Sequence, residues 1–470
     1  MATFYVENFG CRATQADGAA LERQFRDRGL EPAQAASQAQ IVVLNTCTVT
    51  AAADQDARAA VRRIRHQNPD CQIIVTGCYA QRAPQEVAAL PGVSQVIGNS
   101  HKHRLVELTI PSDKVAAWNT VHSGMGFVPV SALTSETPGA LDSQELTTHD
   151  HGPILVSDIF AHTELLAAPV FNASHDRTRP NLKVQDGCDN RCSFCIIPYV
   201  RGQSRSLPLA EILRQVESLV ATGYREVVIS GINLGAWGRD LAGGGQRLRL
   251  ADLIAAILEH TSLEKLRVSS VELMDWSDEL IRLMADSPRV AKHAHVPLQS
   301  GSDRVLRKMH RRYRPWHYRE RIEKIRAAMP MAAIGADVMT GFPGETSEEF
   351  ESTRRLIEEL PFTYLHVFTY SARPGTPAAS MRPQVPAQVA RERNRVLREL
   401  AAQKRLAFMR SFAGKQVEAI TLNASNSSST QCLTDNYLKL RVSGKHEANR
   451  WIKAQVGDVK DGMLFGTRST

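Results

Sequence analysis

No apolar run in the sequence approaches the roughly 20 residues that cross a bilayer as a helix, so no membrane span is expected. Met1 to Glu7 carry neither a basic segment nor an apolar one, so no secretory leader is expected and the cytoplasm is the expected compartment. Cysteine is scarce. Eight in 470 residues are too few for a disulfide scaffold, and in a reducing compartment those that cluster are expected to bind metal. Acidic residues are the minority charge, 49 against 57 Lys and Arg, and the resulting net charge of +8 favours an anionic partner, nucleic acid first. The length suggests about three domains.

Three of the eight cysteines fall together as Cys188-Asp-Asn-Arg-Cys192-Ser-Phe-Cys195. Thiolates are soft ligands, and a tight loop of three suits an iron–sulfur cluster. A structural zinc site would need a fourth ligand nearby, and Ile196 to Gln215 contains neither Cys nor His. Three ligands on a four-iron cluster leave one iron for another molecule to bind.

From Thr3 to about Ile110, short apolar runs alternate with helical periodicity. Phe4-Tyr5-Val6, Ile41 to Leu44 and Ile73-Ile74-Val75 have the character of buried parallel strands, with surface helices expected over Ala19 to Arg28 and Asp54 to Gln67. This predicts a doubly wound α/β domain over residues 1–110. Cys11, Cys47 and Cys78 each follow one of these strands and so fall at their carboxyl ends, where such folds bind ligands. A second cluster is expected there. Cys71 precedes its strand and is excluded as a ligand; Cys432 is isolated and reads as a bystander.

Residues 111–176 are rich in Ser, Thr, His and Ala with weak periodicity, and read as an inter-domain connection in which Ile154-Leu155-Val156 could pair as a strand. The dispersed His122, His149, His151, His162 and His175 read as solvated loop residues. Over residues 177–400 strands and helices alternate again, with strands expected at Leu182–Gln185, Glu226–Ser230, Leu266–Ser270, His293–Pro297, Ile334–Met339 and Tyr364–Phe368. A helix spaced by Leu209, Ile212, Leu213, Val216, Leu219 and Val220 should stop at Gly223, and Thr346 with Glu349 can close a capping box. Six β-α units predict an open (β/α)6 version of the parallel barrel, whose working groups collect at the carboxyl ends of the strands. The Cys188 loop, Ser230 to Gly235, Ser269 to Glu272, Pro297 to Gly301 and Thr340 to Glu345 all fall at that face.

Two basic runs stand out, Arg304–Arg326 with interleaved aromatics and Arg391–Arg410. Either alone could be a solvated helix face; together they tilt towards nucleic acid. Residues 401–470 change character: Gln416–Leu422 and Tyr437–Val442 alternate like half-exposed strands, with Gly444, Gly457, Gly462 and Gly466 between later segments. A small all-β, OB-like barrel of the kind that binds oligonucleotides is expected.

These residues carry a family resemblance. Cys188-x3-Cys192-x2-Cys195 with Phe194 before the third cysteine resembles the radical S-adenosylmethionine (SAM) signature. With the flanking Ile196-Ile-Pro-Tyr-Val-Arg-Gly202, Asn45-Thr-Cys-Thr-Val-Thr50, His295 to Asp303, Gly341 to Glu345 and Tyr370 to Thr376, the chain resembles the methylthiotransferases, and most of all the branch acting on N6-threonylcarbamoyladenosine in tRNA. The resemblance implies an N-terminal cluster domain, a radical SAM barrel and a C-terminal TRAM domain, with two 4Fe-4S clusters and SAM as cofactors. Cys188, Cys192 and Cys195 would hold the cluster that cleaves SAM to a 5′-deoxyadenosyl radical, which activates C2 of the adenine; Cys11, Cys47 and Cys78 would hold the cluster that carries the sulfur. Gly231, Glu272 and Gln299 are then expected to contact SAM, and Arg201 and Arg205 could meet phosphate or the acidic modified base. The implied partners are tRNA, gripped at an unstacked anticodon loop, an external electron donor of the flavodoxin or ferredoxin type, and a sulfur source. Other branches act on isopentenyladenosine in tRNA or on a ribosomal-protein aspartate, and the Ser/Asn-rich Asn423–Thr430 departs from the usual C-terminal pattern. A reading of another class is a non-catalytic cluster- or zinc-containing RNA-binding protein.

Overall fold

The computed structural model describes residues 2–110, 153–162, 164–166, 179–241, 247–422 and 428–469. Most of the 111–176 connection, including His122, His149, His151 and His175, lies outside these, as do residues 423–427 of the Ser/Asn-rich loop. The chain divides into two compact units. One comprises residues 1–170 with 187–189 and 196–205; the other holds 171–186, 190–195 and 206–470.

The first unit is built on a parallel sheet of β1 (Thr3–Asn8), β2 (Glu31–Pro32), β3 (Ile41–Thr46), β4 (Gln72–Gly77), β5 (Val93–Gly98) and β6 (Ile154–Leu155), in the order β2–β1–β3–β4–β5–β6. Alternate side chains of a strand leave opposite faces, so both faces of the apolar β3 and β4 need cover. Ile41, Val43 and Ile74 pack with Phe4 on Leu21 and Phe25 of the helix Arg12–Asp27; Val42, Leu44, Ile73 and Val75 pack on Ala57, Val61 and Ile64 of the helix Ala51–Gln67. This is the doubly wound domain expected, and Ile154 and Leu155 do pair as a strand against β5.

The first helix begins seven residues before Ala19, the start expected from its apolar spacing. Gly18 obscured it: a β-carbon there would collide with the Asn8 side chain, so close packing on β1 demanded the glycine inside a helix.

The second unit contains six parallel strands: β7 (Asn181–Asp186), bordered by the short β8 (Arg205–Ser206), then β9 (Glu226–Gly231), β10 (Lys265–Val268), β11 (His293–His295), β12 (Ala333–Thr340) and β13 (Tyr364–Thr369). One sheet runs β10–β9–β7–β8 and the other β11–β12–β13; parallel bridges Leu266 to Val290 and Ser270 to His295 join them into the open six-stranded barrel. Its core lies between strands and outer helices, where Leu182, Val227, Leu266, Ala294, Ile334 and Val367 meet Ile212, Val216, Ile254 and Ile322. Thr346 and Glu349 exchange both capping-box hydrogen bonds, Glu349 N to Thr346 Oγ1 at 3.3 Å and Thr346 N to Glu349 Oε2 at 2.7 Å.

The chain ends in a closed barrel of β14 (Gln416–Thr421), β15 (Ser429–Thr434), β16 (Lys439–Ser443), β17 (Trp451–Lys460) and β18 (Met463–Arg468), ordered β14–β15–β16–β18–β17. All its pairs are antiparallel except β16 with β18, the connectivity of an OB-like barrel. Cys432 is buried in its core, where desolvation pushes the thiol up to about 12.

Candidate active site

Consider first the sheet edge of the first unit. In the order β2–β1–β3–β4–β5 the chain reverses direction between β1 and β3, and ligands in such sheets bind outside the carboxyl ends at that switch point. Cys11 caps the helix after β1, Cys47 directly follows β3, and Cys78 opens the helix Cys78–Arg82 after β4. The three cysteines thus share one edge of the sheet. Burial pushes the Cys47 thiol up to about 12, and its neighbours Cys78 and Cys11 both add to that.

Backbone geometry makes this placement possible. Gly10 has φ +91°, and a β-carbon on it would lie 2.7 Å from the Cys47 β-carbon and 2.8 Å from its sulfur. Gly77, at φ +98°, lets the chain turn sharply into Cys78 against Thr46. Around the thiols, Asn99 Nδ2 donates to Cys78 Sγ at 3.5 Å and to Val200 O at 2.7 Å, while Thr14 Oγ1 lies 3.5 Å from Cys11 Sγ. Asn45 Oδ1 and Thr76 Oγ1 are buried at the same strand ends with no hydrogen-bond partner among the described residues.

Beneath this edge sits a buried charge cluster. Asp17 Oδ2 accepts from Lys102 Nζ and Arg201 Nη2, each at 3.0 Å, and all three side chains are at most 4% exposed. Arg205 is likewise buried, its Nη1 donating to Arg201 O at 2.9 Å. Arg201 and Arg205 therefore do not sit at the surface as phosphate contacts; they are structural cations of this unit. Their adjacency to a cysteine loop in sequence carried no sign of the Asp17 partner, which lies 184 residues away.

The Cys188 loop follows β7. Cys188 N donates to Gly202 O at 3.0 Å, and Gly187, at φ +69°, has no room for a β-carbon beside Gln203 O. In the second unit Ser193 is held by Met309 and Ala378 through backbone hydrogen bonds of 3.1 and 2.8 Å, and Phe194 packs among Met309, Met339 and Phe342. Arg311 Nη1 donates to Cys192 Sγ at 3.2 Å while its Nη2 pairs with Glu272.

Arg311 went unrecognised in the sequence, one arginine among many in Arg304–Arg326. The signal was Pro315: it opens the helix Pro315–Ala328, so the run is not one helix, and Arg311 lies in the break after Asp303–Lys308. The rest of that run is largely paired within the chain: Arg307 and Arg314 with Asp303, Arg319 with Glu359, Arg321 with Asp278. The second run lies on the helix Ala387–Arg410, where Arg395 pairs with Glu392 and Glu399 and Arg393 is buried on Glu345.

The three expected SAM contacts fall at the strand carboxyl ends but differ in character. Gly231 leaves room for Gln185, whose Oε1 would lie 2.8 Å from an added β-carbon. Glu272 is committed to Arg311. Gln299 has φ 64°, unusual for a residue with a side chain, and its buried Oε1 has no partner. Ser230 Oγ, Asn233 Oδ1 and Tyr370 OH are also buried at this rim without partners among the described residues. Unsatisfied buried polar atoms are costly, and a ring of them at one rim fits a polar ligand such as SAM.

The chemistry of the donors fits iron–sulfur clusters. A single tetrahedral zinc with sulfurs at about 2.3 Å draws them to about 3.8 Å of one another. Among the described residues the set of three donors that converges within 4.8 Å is His295, Asp337 and His366, and Cys11, Cys47 and Cys78 do not close to that degree.

Comparison with known proteins places the chain in a family. Residues 182–357 match the Radical SAM superfamily model, and residues 3–98 match one described as Uncharacterized protein family UPF0004. Among solved structures, the radical S-adenosylmethionine methyltransferase TsrM from Kitasatospora setae has a TM-score of 0.56 at 15% identity, covering 80% of this chain and 75% of that one, a likeness of fold. Fold and cysteine loop together define a radical SAM protein, with SAM and a 4Fe-4S cluster as the cofactors of that class. Two curated relatives are threonylcarbamoyladenosine tRNA methylthiotransferases: that of Aquifex aeolicus is 32% identical over 96% of this chain and 99% of its own, and that of Bacillus subtilis 34% over 95% and 92%. The chain belongs to the radical SAM tRNA methylthiotransferase family. Among the described residues no helix is long and apolar enough to cross a membrane.

Proposed function

We propose that the protein methylthiolates C2 of N6-threonylcarbamoyladenosine in tRNA, at the adenosine 3′ of the anticodon, using two 4Fe-4S clusters. Cys188, Cys192 and Cys195 would hold one and Cys11, Cys47 and Cys78 the other. The observation that carries this reading is the placement of Cys11, Cys47 and Cys78 at the carboxyl ends of three neighbouring strands: a protein that only made radicals would not need it. When bound, the clusters and SAM supply a radical able to break an unactivated C–H bond and a site for the transferred sulfur.

The chain's own residues prepare that chemistry. Arg311 donates to the Cys192 sulfur and is fixed by Glu272, which stabilises negative charge on that ligand. Gln299, Ser230, Asn233 and Tyr370 offer the unsatisfied polar atoms that would orient SAM. Gly10 and Gly77 give the second triad its close approach. The C-terminal five-stranded barrel, in the role of a TRAM domain, and exposed members of Arg304–Arg326, such as Arg304 and Trp316, would hold the RNA; binding should then weaken steeply with salt. An external electron donor and a sulfur source complete the reaction.

The test is mass spectrometry of tRNA nucleosides with and without the gene. The methylthio form of threonylcarbamoyladenosine should vanish in the deletion strain. Loss of the methylthio isopentenyl nucleoside instead would move the protein to the other tRNA branch, and unchanged tRNA would point to a protein substrate. In vitro, Cys78→Ala should still cleave SAM but no longer transfer the methylthio group. Metal analysis giving zinc without sulfide would end the radical reading.

A further inference from the structure

Three neighbouring strands of the open barrel place polar side chains where the rest of the sheet is apolar. Ala294, Ala336 and Val338 point outward into the main core, as does Val367. By alternation His293 and His295 of β11, Gly335 and Asp337 of β12, and Tyr364 and His366 of β13 point to the opposite, inner face. The parallel register sets His295 beside Gly335 and Asp337 beside His366.

Asp337 Oδ1 lies 3.2 Å from His295 Nε2 and 3.2 Å from His366 Nδ1. The donor atoms of all three lie within 4.8 Å of one another. Two imidazoles and one carboxylate are a donor set that first-row divalent ions use. With metal–ligand bonds of about 2.1 Å, donors at octahedral and tetrahedral angles stand about 3.0 and about 3.4 Å apart, and the two separations from Asp337 fall between.

The surroundings are built to orient the ring of His295. Its other nitrogen, Nδ1, meets Tyr364 OH at 3.0 Å, and the same hydroxyl meets His293 Nε2 at 2.7 Å. Tyr364 reaches both only because residue 335 is glycine: a β-carbon there would fall inside the tyrosine ring. A second hydrogen bond of this kind fixes tautomer and ring angle in metal-bound histidines.

We propose that His295, Asp337 and His366 form a metal site for a divalent first-row transition ion, separate in its ligands from both cysteine triads. His366, whose side chain is 64% exposed, closes onto the ion, and the solvent side keeps open positions for water or another oxygen donor.

The test uses the full chain with its iron–sulfur clusters reconstituted. Zinc(II) is the probe, because it binds sites of this kind more tightly than manganese or iron(II) does. The protein is dialysed against zinc, passed over chelating resin, and analysed for metal content and by zinc-edge X-ray absorption. The expected result is one equivalent of zinc with a nitrogen/oxygen shell showing imidazole scattering and no sulfur, at unchanged iron and sulfide. Asp337→Asn and the surface change His366→Ala should each weaken retention at least tenfold while iron content and the circular dichroism spectrum hold. Zinc that is not retained, that shows sulfur ligands, or that both variants retain equally would overturn the site.

Discussion

Gly10 lies so close to Cys47 that a β-carbon on it would stand 2.8 Å from the cysteine sulfur. The contact joins the end of β1 to the end of β3 and holds Cys47, a proposed cluster ligand, against the backbone that leads to Cys11, proposed as another. Gly10→Ala adds a methyl to that space and strains a backbone at φ +91°. Reconstituted protein should bind about four irons per chain in place of about eight, with SAM cleavage retained. Iron and sulfide analysis, together with methylthio transfer, reads the outcome; full iron content would show that the contact relaxes.

Arg311 should tune the cluster that holds SAM. Its hydrogen bond to Cys192 Sγ is charge-assisted, and such bonds favour the reduced, more negative cluster. Arg311→Gln should lower the reduction potential by roughly 60 mV or more, taking a bond worth about 1.5 kcal/mol as the scale. Iron content should be unchanged and 5′-deoxyadenosine formation slowed at least tenfold. A redox titration followed by electron paramagnetic resonance measures it, and an unmoved potential would make Arg311 a packing residue.

Asp17 holds two buried cations, Lys102 and Arg201. Asp17→Asn leaves both without their carboxylate and should cost on the order of 3–5 kcal/mol in thermal or denaturant unfolding. The loss depends on pH. Burial lowers the pKa of Lys102 below its ordinary value, so between the lowered and the ordinary value the unfolded chain binds more protons. Stability therefore rises with pH across that alkaline window; without the Asp17 carboxylate the Lys102 pKa falls further, so the deficit of the variant should shrink as pH rises towards the value Lys102 has beside Asp17 and stay level above it. A deficit constant up to pH 10 would contradict this.

Cys71 and Cys432 should prove inert. Both are buried in apolar cores away from the triads, and burial raises both thiols, Cys432 to about 12. Below that pH Cys432 stays a protonated thiol and reacts slowly with iodoacetamide, whereas the exposed Cys11 of cluster-free protein should react fast. The double variant Cys71→Ala/Cys432→Ala should keep about eight irons per chain.

Strand positions and cysteine placement were readable because each rests on local pattern. An apolar run of three or four residues, followed within a few positions by Gly or Asn and then cysteine, marks a buried parallel strand and its ligand end without any knowledge of neighbours. The capping box at Thr346 and the helix stop at Gly223 were readable for the same reason, since their partners lie within a turn. Arg201, Arg205 and Arg311 were not. Sequence assigns an arginine a charge but not a partner, and the residues around these cations come from segments tens to hundreds of positions away.

Local pattern in the sequence thus placed Cys11, Cys47 and Cys78 after apolar strands and Cys188, Cys192 and Cys195 in one short loop, because strand signals and close cysteine spacing need no knowledge of neighbours. Tertiary structure decided which charges serve them. It buried Arg201 on Asp17 and turned Arg311 from a basic run onto a cysteine sulfur. It also gathered His295, Asp337 and His366 from three strands onto one inner face. Those choices depend on sheet register, which places side chains from distant segments within bonding distance and has no local signature in the sequence.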